Sequence, residues 1–204
     1  LHDVFRRFGA HSSIVPNIID LARFTARAPA AFGTAPHVVV TRNLEKLYDI
    51  GSALRCFARV RERYPDARLT IAGSGPEREA LERLAVELGL SESVKFAGLL
   101  KPEQMPALYA GADVMLNPSL ADNMPNSVLE ALASGVPVVS TNVGGVPFLV
   151  EDRRTALLVP AADPEQMAQA TLRVLRDPAL ASTLRTQGLD LVAQFTWAQV
   201  KPLW

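Results

Sequence analysis

Two acids, Asp122 and Glu130, stand eight positions apart in the stretch from Ser119 to Ser140, S-L-A-D-N-M-P-N-S-V-L-E-A-L-A-S-G-V-P-V-V-S. Pro125 suits the first turn of a helix, where a missing N–H is not needed, and Gly135 followed by Pro137 ends that helix ahead of an apolar run. Asp122 therefore belongs to a loop and Glu130 to the helix behind it. Val128, Leu129, Ala131, Leu132 and Ala133 make the helix nearly all apolar, so Glu130 must either reach solvent along a narrow polar stripe or meet a partner. Asn123, Asn126, Glu130 and Ser134 share one face by their three- and four-residue spacing. That face is either the wet side of an amphipathic helix or a stripe that meets a ligand. The backbone from Asn123 through Met124, Pro125 and Asn126 to Ser127 lies at the helix start, where unpaired donors and the positive end of the dipole favour anions and oxygen acceptors.

Elements of a particular kind must position these groups. Apolar strand runs alternate with amphipathic helical patterns from residue 37 onward, which predicts a parallel sheet with crossover helices. The strands are expected at His37 to Thr41, Arg68 to Ala72, Ser93 to Ala97, Asp113 to Asn117, Pro137 to Thr141 and Thr155 to Val159. Helices are expected between the first two strands, burying Ala53, Leu54, Phe57 and Val60, then from Pro76 to Gly89, Pro102 to Ala110, Asn126 to Ser134 and Pro164 to Arg176. The result is an α/β fold, a Rossmann-like doubly wound sheet of about six strands, which takes its ligands at the carboxyl ends of the strands. Gly73-Ser74-Gly75 and Gly144-Gly145 follow strands and would let a backbone approach a ligand, although Gly73 to Pro76 also reads as a plain turn into a helix.

Composition removes several function classes. Twenty-one basic and 21 acidic residues cancel, so nothing global draws the chain to nucleic acid or an anionic surface. The single Cys56 cannot form an internal disulfide and lies at helical spacing with Ala53, Phe57 and Val60, as a core thiol would. No apolar run approaches the ~20 residues that span a bilayer, and the N-terminus lacks the form of a secretory signal, so a cytoplasmic location is expected. His2, His11 and His37 show no ligand spacing and no acidic cluster follows a strand, so no metal site is expected.

The acid at 122, seven intervening residues, Glu130, then A-L-A-S-G-V-P-V-V resembles the signature of the retaining glycosyltransferases of the GT-B architecture, the glycosyl transferases group 1 family. The resemblance continues through V-P-N-I-I-D-L-A-R-F from Val15, I-A-G-S-G-P from Ile71, V-K-F-A-G from Val94 and V-G-G-V-P from Val143, and so covers nearly the whole chain in order. The first acid is usually Glu in that family, so Asp122 departs from it by one methylene. A GT-B enzyme has an acceptor domain followed by a nucleotide-sugar domain, and this chain resembles the second. By that resemblance, residues 1–36 are the tail of an acceptor domain plus a linker, 37–194 the nucleotide-sugar domain, and 195–204 the start of a return helix, with Trp204 ending mid-element. A fragment inactive by itself is the expectation.

The same resemblance implies the roles. Arg42 stands where the family places a phosphate-binding Arg, and guanidinium geometry matches two phosphate oxygens at once. The family's following Lys is not matched cleanly; Tyr48 stands near its place, and Lys46 is the substitute. Glu130 would accept hydrogen bonds from the ribose hydroxyls, Asp122 would lie near the transferred sugar, and Gly73, Gly75 and the 123–127 backbone would border the nucleotide. The implied donor is a nucleoside-diphosphate sugar, a UDP-sugar first and a GDP-sugar second, with no metal and an acceptor that is a glycan, lipid-linked or a small molecule. The full-length protein would then work in the cytoplasm, peripheral to a membrane if its acceptor is a lipid. Three other readings compete. A non-catalytic nucleotide-sugar-binding module fits the replaced Glu and Lys. A nucleotide-sugar 2-epimerase shares the architecture but lacks this signature. A dinucleotide-binding domain requires a glycine-rich first turn, and that turn is R-N-L-E-K-L-Y-D-I-G.

Overall fold

The computed structural model describes residues 7–9, 15–26 and 32–203; His2, His11 and Trp204 lie outside them. In chain order the main elements are β1 (His37–Val40), α1 (Ile50–Arg63), β2 (Arg68–Ala72), α2 (Arg78–Glu87), β3 (Val94–Gly98), α3 (Met105–Ala110), β4 (Val114–Asn117), α4 (Asn126–Ala133), β5 (Val138–Thr141), α5 (Val146–Leu149), β6 (Leu157–Val159), α6 (Pro164–Arg176), α7 (Pro178–Val192) and α8 (Trp197–Val200). The six strands form one parallel sheet in the order β3-β2-β1-β4-β5-β6. Strand order reverses between β1 and β4, which opens a crevice at their carboxyl ends.

Both faces of the sheet are covered, and strand alternation decides which core each residue joins. Val38 and Val40 of β1, with Val114 and Leu116 of β4, pack with Leu54, Phe57 and Val60 of α1 and Met167 and Val174 of α6. Val39, Met115 and Val138 point the other way, into Val128, Leu129 and Leu132 of α4. Ile19 and Phe24, which precede the sheet, are buried in this second core, and Ile19 N–H bonds the Phe195 carbonyl at 2.8 Å. The chain's entry and exit segments thus meet on one face of the fold.

The expected strands all occur, Arg68–Ala72 as expected, Val94–Gly98 one residue later and the other four shorter at one end, and β6 begins at Leu157 rather than Thr155 because a tight turn, with Arg153 N–H on the Ala156 carbonyl at 2.8 Å, occupies the residues before it. Pro125 precedes α4 as its N-cap rather than sitting in its first turn, and its carbonyl accepts from Val128 and Leu129. The single turn α5 and the long helix α7 have no counterpart in the sequence expectation. Gly188 interrupts the pattern of α7, yet a Cβ there would stand 2.8 Å from Leu132 Cδ2, so glycine is what lets α7 lie close against α4.

Candidate functional site

The residues with chemistry gather at the β1–β4 crevice because three backbone contacts bind the strand-end loops together. Leu44 N–H, after β1, bonds the Ser74 carbonyl after β2 at 2.9 Å; Leu120 N–H, after β4, bonds the Leu47 carbonyl at 2.8 Å; Gly145 N–H, after β5, bonds the Asp122 carbonyl at 2.9 Å. Below them, Asn117 Nδ2 donates to Ser140 Oγ at 3.0 Å and Thr141 Oγ1 donates to the Ser119 carbonyl at 2.6 Å, which anchors the loop that carries Asp122.

The glycines serve these contacts on the side where a Cβ would stand. A Cβ on Gly73 or Gly75 would collide with the carbonyls of Arg42 and Leu44, and one on Gly144 or Gly145 with those of Asp122 and Asn123. Each pair is the seat for the neighbouring loop, the first for the arginine's and the second for the aspartate's.

Arg42 and Asp122, 80 residues apart in sequence, meet there: Arg42 Nη2 donates to Asp122 Oδ2 at 2.6 Å, with side chains only 11% and 9% exposed. Arg42 Nη1 donates to Ser127 Oγ at 3.3 Å, and its guanidinium carbon lies 4.2 Å from the centroid of the Tyr48 ring. Its Nε is buried with no acceptor among the described residues. Asp122 Oδ2 also accepts from Ser119 Oγ at 3.2 Å, and Oδ1 from the Asn123 N–H at 3.0 Å.

Glu130 is held differently. Its Oε2 accepts from the Tyr109 hydroxyl at 3.2 Å, and that is the only hydrogen bond to its carboxylate among the described residues. Tyr109, wholly buried in α3, also reaches the Ser127 carbonyl at 3.2 Å and Thr41 Oγ1 at 2.7 Å. Burial pushes the Glu130 carboxyl above its usual range, against the Tyr109 hydrogen bond and the more distant Arg23 charge, which lower it. Burial and the neighbouring carboxylate likewise push the Tyr109 phenol well above its ordinary value, so it stays a proton donor. Tyr109 escaped the sequence reading. A tyrosine in the otherwise apolar helix M-P-A-L-Y-A was the available signal, because a buried phenol requires a hydrogen-bond partner.

The single polar face predicted for this helix does not exist as such. Asn123 lies in the loop, Ser134 is buried and donates to the Glu130 carbonyl at 2.9 Å, and only Asn126 and Glu130 remain at the open side. The start of α4 is partly occupied by the entry segment: Asn17 Nδ2 donates to the Met124 carbonyl at 2.8 Å and to Asn126 Oδ1 at 2.9 Å. Lys46 is exposed in the 3-10 turn Lys46–Tyr48, outside the Arg42–Asp122 pair.

The remaining titratable candidates are structural. His37 lies between the Gly111 carbonyl and Thr70 Oγ1, both at 2.8 Å, and burial pulls its pKa down. The buried Cys56 thiol is pushed up to about 12 by desolvation. Among the described residues no group of three or more His, Cys, Asp or Glu could hold a metal ion, and no helix is long and apolar enough to cross a membrane.

Comparisons with known proteins bear on the family and the fold. A D-inositol 3-phosphate glycosyltransferase of Corynebacterium urealyticum is 33% identical over 185 residues, covering 86% of this chain and 44% of the relative. A GDP-mannose-dependent alpha-(1-6)-phosphatidylinositol monomannoside mannosyltransferase of Mycolicibacterium smegmatis is 34% identical over 174 residues, 82% of this chain and 46% of the relative. The chain therefore spans less than half the length of these curated relatives. Among solved structures, sucrose-phosphate synthase from Thermosynechococcus elongatus superposes with a TM-score of 0.86 at 29% identity, over 98% of this chain and 53% of that one. Anabaena HepE in complex with UDP and glucose shares the fold, with a TM-score of 0.83 at 19% identity over 99% of this chain and 58% of that one. The sequence pattern of glycosyl transferases group 1 matches residues 35–177, from the residues before β1 through α6, and by that match the chain belongs to the glycosyl transferases group 1 family.

Proposed function

We propose that this chain is the nucleotide-sugar-binding, C-terminal half of a retaining glycosyltransferase, and that the donor lies in the crevice between β1 and β4. The observation that carries the reading is the meeting of Arg42, Asp122 and Ser127 at the point where strand order reverses. A diphosphate placed there finds a preorganised guanidinium, held by Asp122 and Ser127 and with no acceptor on its buried Nε among the described residues. A UDP-sugar is the first candidate donor, and the UDP bound by Anabaena HepE supports it; the GDP-mannose of the mycobacterial relative's name keeps a GDP-sugar second.

In the proposed reaction an acceptor hydroxyl attacks the anomeric carbon on the face from which the nucleotide departs. The new carbon–oxygen bond forms as the bond to the diphosphate oxygen breaks, and the hydroxyl proton passes to that leaving oxygen on the same face. Arg42 stabilises the charge that grows on the diphosphate, with Lys46 as an outer contributor, so no metal is required; a preorganised donor acts most strongly where charge develops. Asp122 orients Arg42 through their ion pair and borders the transferred sugar. Glu130 receives the ribose hydroxyls on the oxygen that Tyr109 leaves open. The 123–127 backbone borders the nucleotide, with Asn123, Met124, Pro125 and Asn126 forming its rim. The acceptor, whether glycan, lipid-linked or small, is bound by the other domain of the full-length protein, which works in the cytoplasm and, with a lipid acceptor, at a membrane surface.

Calorimetry with UDP, GDP and ADP tests this reading. The chain should bind one of the three weakly and transfer no sugar by itself, and the rate of the full-length protein should survive EDTA. Sugar transfer by this chain alone would overturn the two-domain assignment, and an absolute magnesium or manganese requirement would overturn the role given to Arg42.

A further inference from the structure

We propose that Tyr109 is a positioning residue for nucleotide recognition: its hydroxyl, itself fixed by Thr41, holds the Glu130 carboxylate in the orientation that receives the ribose diol. The inference rests on the nucleotide reading above and adds a residue which that reading does not contain.

Proton counting fixes the direction of the relay. Tyr109 has one hydroxyl proton and three oxygen neighbours: Glu130 Oε2 at 3.2 Å, the Ser127 carbonyl at 3.2 Å and Thr41 Oγ1 at 2.7 Å. A carbonyl and a carboxylate can only accept, so the phenol proton goes toward them and the Thr41 hydroxyl donates to the phenol oxygen. The carboxylate, bearing charge, is the stronger acceptor. Thr41 immediately precedes Arg42, and Ser127, whose carbonyl accepts from Tyr109, receives Arg42 Nη1 on its hydroxyl at 3.3 Å, so the residues that aim Glu130 also border the guanidinium.

Burial makes the arrangement consequential. Tyr109 is wholly buried, so an unpaired phenol there would lose water without recompense, and its three contacts show why the hydroxyl is tolerated. Glu130 has no other donor among the described residues, so without Tyr109 its carboxylate would be free to rotate and to protonate. The charged and titratable groups acting on this pair are Arg23, from the entry segment, on Glu130, and Arg42, after β1, on Tyr109.

Tyr109→Phe is the decisive variant, because phenylalanine keeps the ring and its edge contact with Phe24, at 6.3 Å between centroids, while deleting the hydroxyl. Binding of UDP and GDP is compared with that of their 2′,3′-dideoxy counterparts in wild type, Tyr109→Phe, Thr41→Val, Glu130→Gln and the Tyr109→Phe/Glu130→Gln double variant. The expected result is a ~10-fold loss of affinity for the ribonucleotide in Tyr109→Phe, comparable with losing one hydrogen bond to a charged group, with the dideoxynucleotide little affected. Thr41→Val should act in the same direction and less strongly. The acid limb of ribonucleotide binding should move to higher pH in Tyr109→Phe, because Glu130 loses the bond that favours its charged form. In the Glu130→Gln background, Tyr109→Phe should add nothing. Equal losses for both nucleotides, an unmoved acid limb or full additivity in the double variant would each overturn the positioning role while leaving the nucleotide reading intact. A wild-type chain that binds neither nucleotide, or ignores the ribose hydroxyls, would overturn that reading and this inference together.

Discussion

The two acids of the signature segment live under opposite electrostatic regimes although only seven residues lie between them. Asp122 is closed: a 2.6 Å ion pair to Arg42, a serine hydroxyl and a backbone N–H use both its oxygens. Glu130 is half-open, with one neutral donor on one oxygen and a pKa raised by burial. A buried ion pair strongly penalises the loss of either partner, whereas a carboxylate with room on its second oxygen can take a ligand without first breaking anything. The Asp122 half is therefore set up to hold an arginine in place, and the Glu130 half to exchange partners.

The comparison breaks most visibly at Arg42. Arg42→Ala leaves the Asp122 carboxylate buried without its cation and should cost about 3 to 5 kcal/mol of stability, read from denaturant unfolding. The paired change Arg42→Met/Asp122→Leu should recover most of that loss in the same measurement and still fail to bind nucleoside diphosphate. Recovery of binding as well would show that Arg42 does not meet the phosphates.

Next come the loop seats. Gly144→Ala forces a Cβ against the Asp122 carbonyl from a backbone with φ +53°, and should cost roughly 1 to 3 kcal/mol, as overpacking of a tight site does. Its nucleotide affinity should fall by more than its stability predicts, since the loop it displaces carries the arginine's partner. Unfolding curves and calorimetry on one preparation separate the two effects.

Glu130→Gln should separate function from stability. Nucleotide affinity should drop by about 1.5 to 3 kcal/mol, the range for hydrogen bonds to charged groups. Thermal stability at neutral pH should hold or rise. The folded-state pKa of Glu130 is raised, so its stabilising contribution is present below the ordinary carboxylate pKa and is lost as pH rises through the raised value. Wild type should therefore gain on the variant as the solution is acidified, and a variant that unfolds at neutral pH would mean that Glu130 belongs to the scaffold.

The smallest effect is expected at Lys46, exposed and outside the ion pair. Lys46→Ala should leave stability within about 0.5 kcal/mol and remove no more than ~1 kcal/mol of nucleotide affinity, a loss that vanishes at high salt. A larger, salt-insensitive loss would make Lys46 a direct phosphate ligand.

Much of this molecule was legible in local pattern. The alternation of apolar runs with 3.6-residue stripes located the six strands and the helices α1 to α4 and α6, because burial on both faces leaves those periods in the sequence, while the single turn α5 is too short to leave one. The same logic placed Cys56 in the core and required Glu130 to find a partner or solvent. What pattern could not supply was the identity of any neighbour distant along the chain. Tyr109 and Glu130, Arg42 and Asp122, and Gly188 and Leu132 are joined only once strand order brings their elements together. Spacing along a single helix even misassigned Ser134 and Asn123, because the helix is shorter than its signature and begins after the loop. The glycine pairs show the division most sharply. Their positions after strands marked close approach in the sequence, and the sheet, whose parallel order sets each strand-end loop against the next, supplies the stretch of backbone that makes it on the Cβ side.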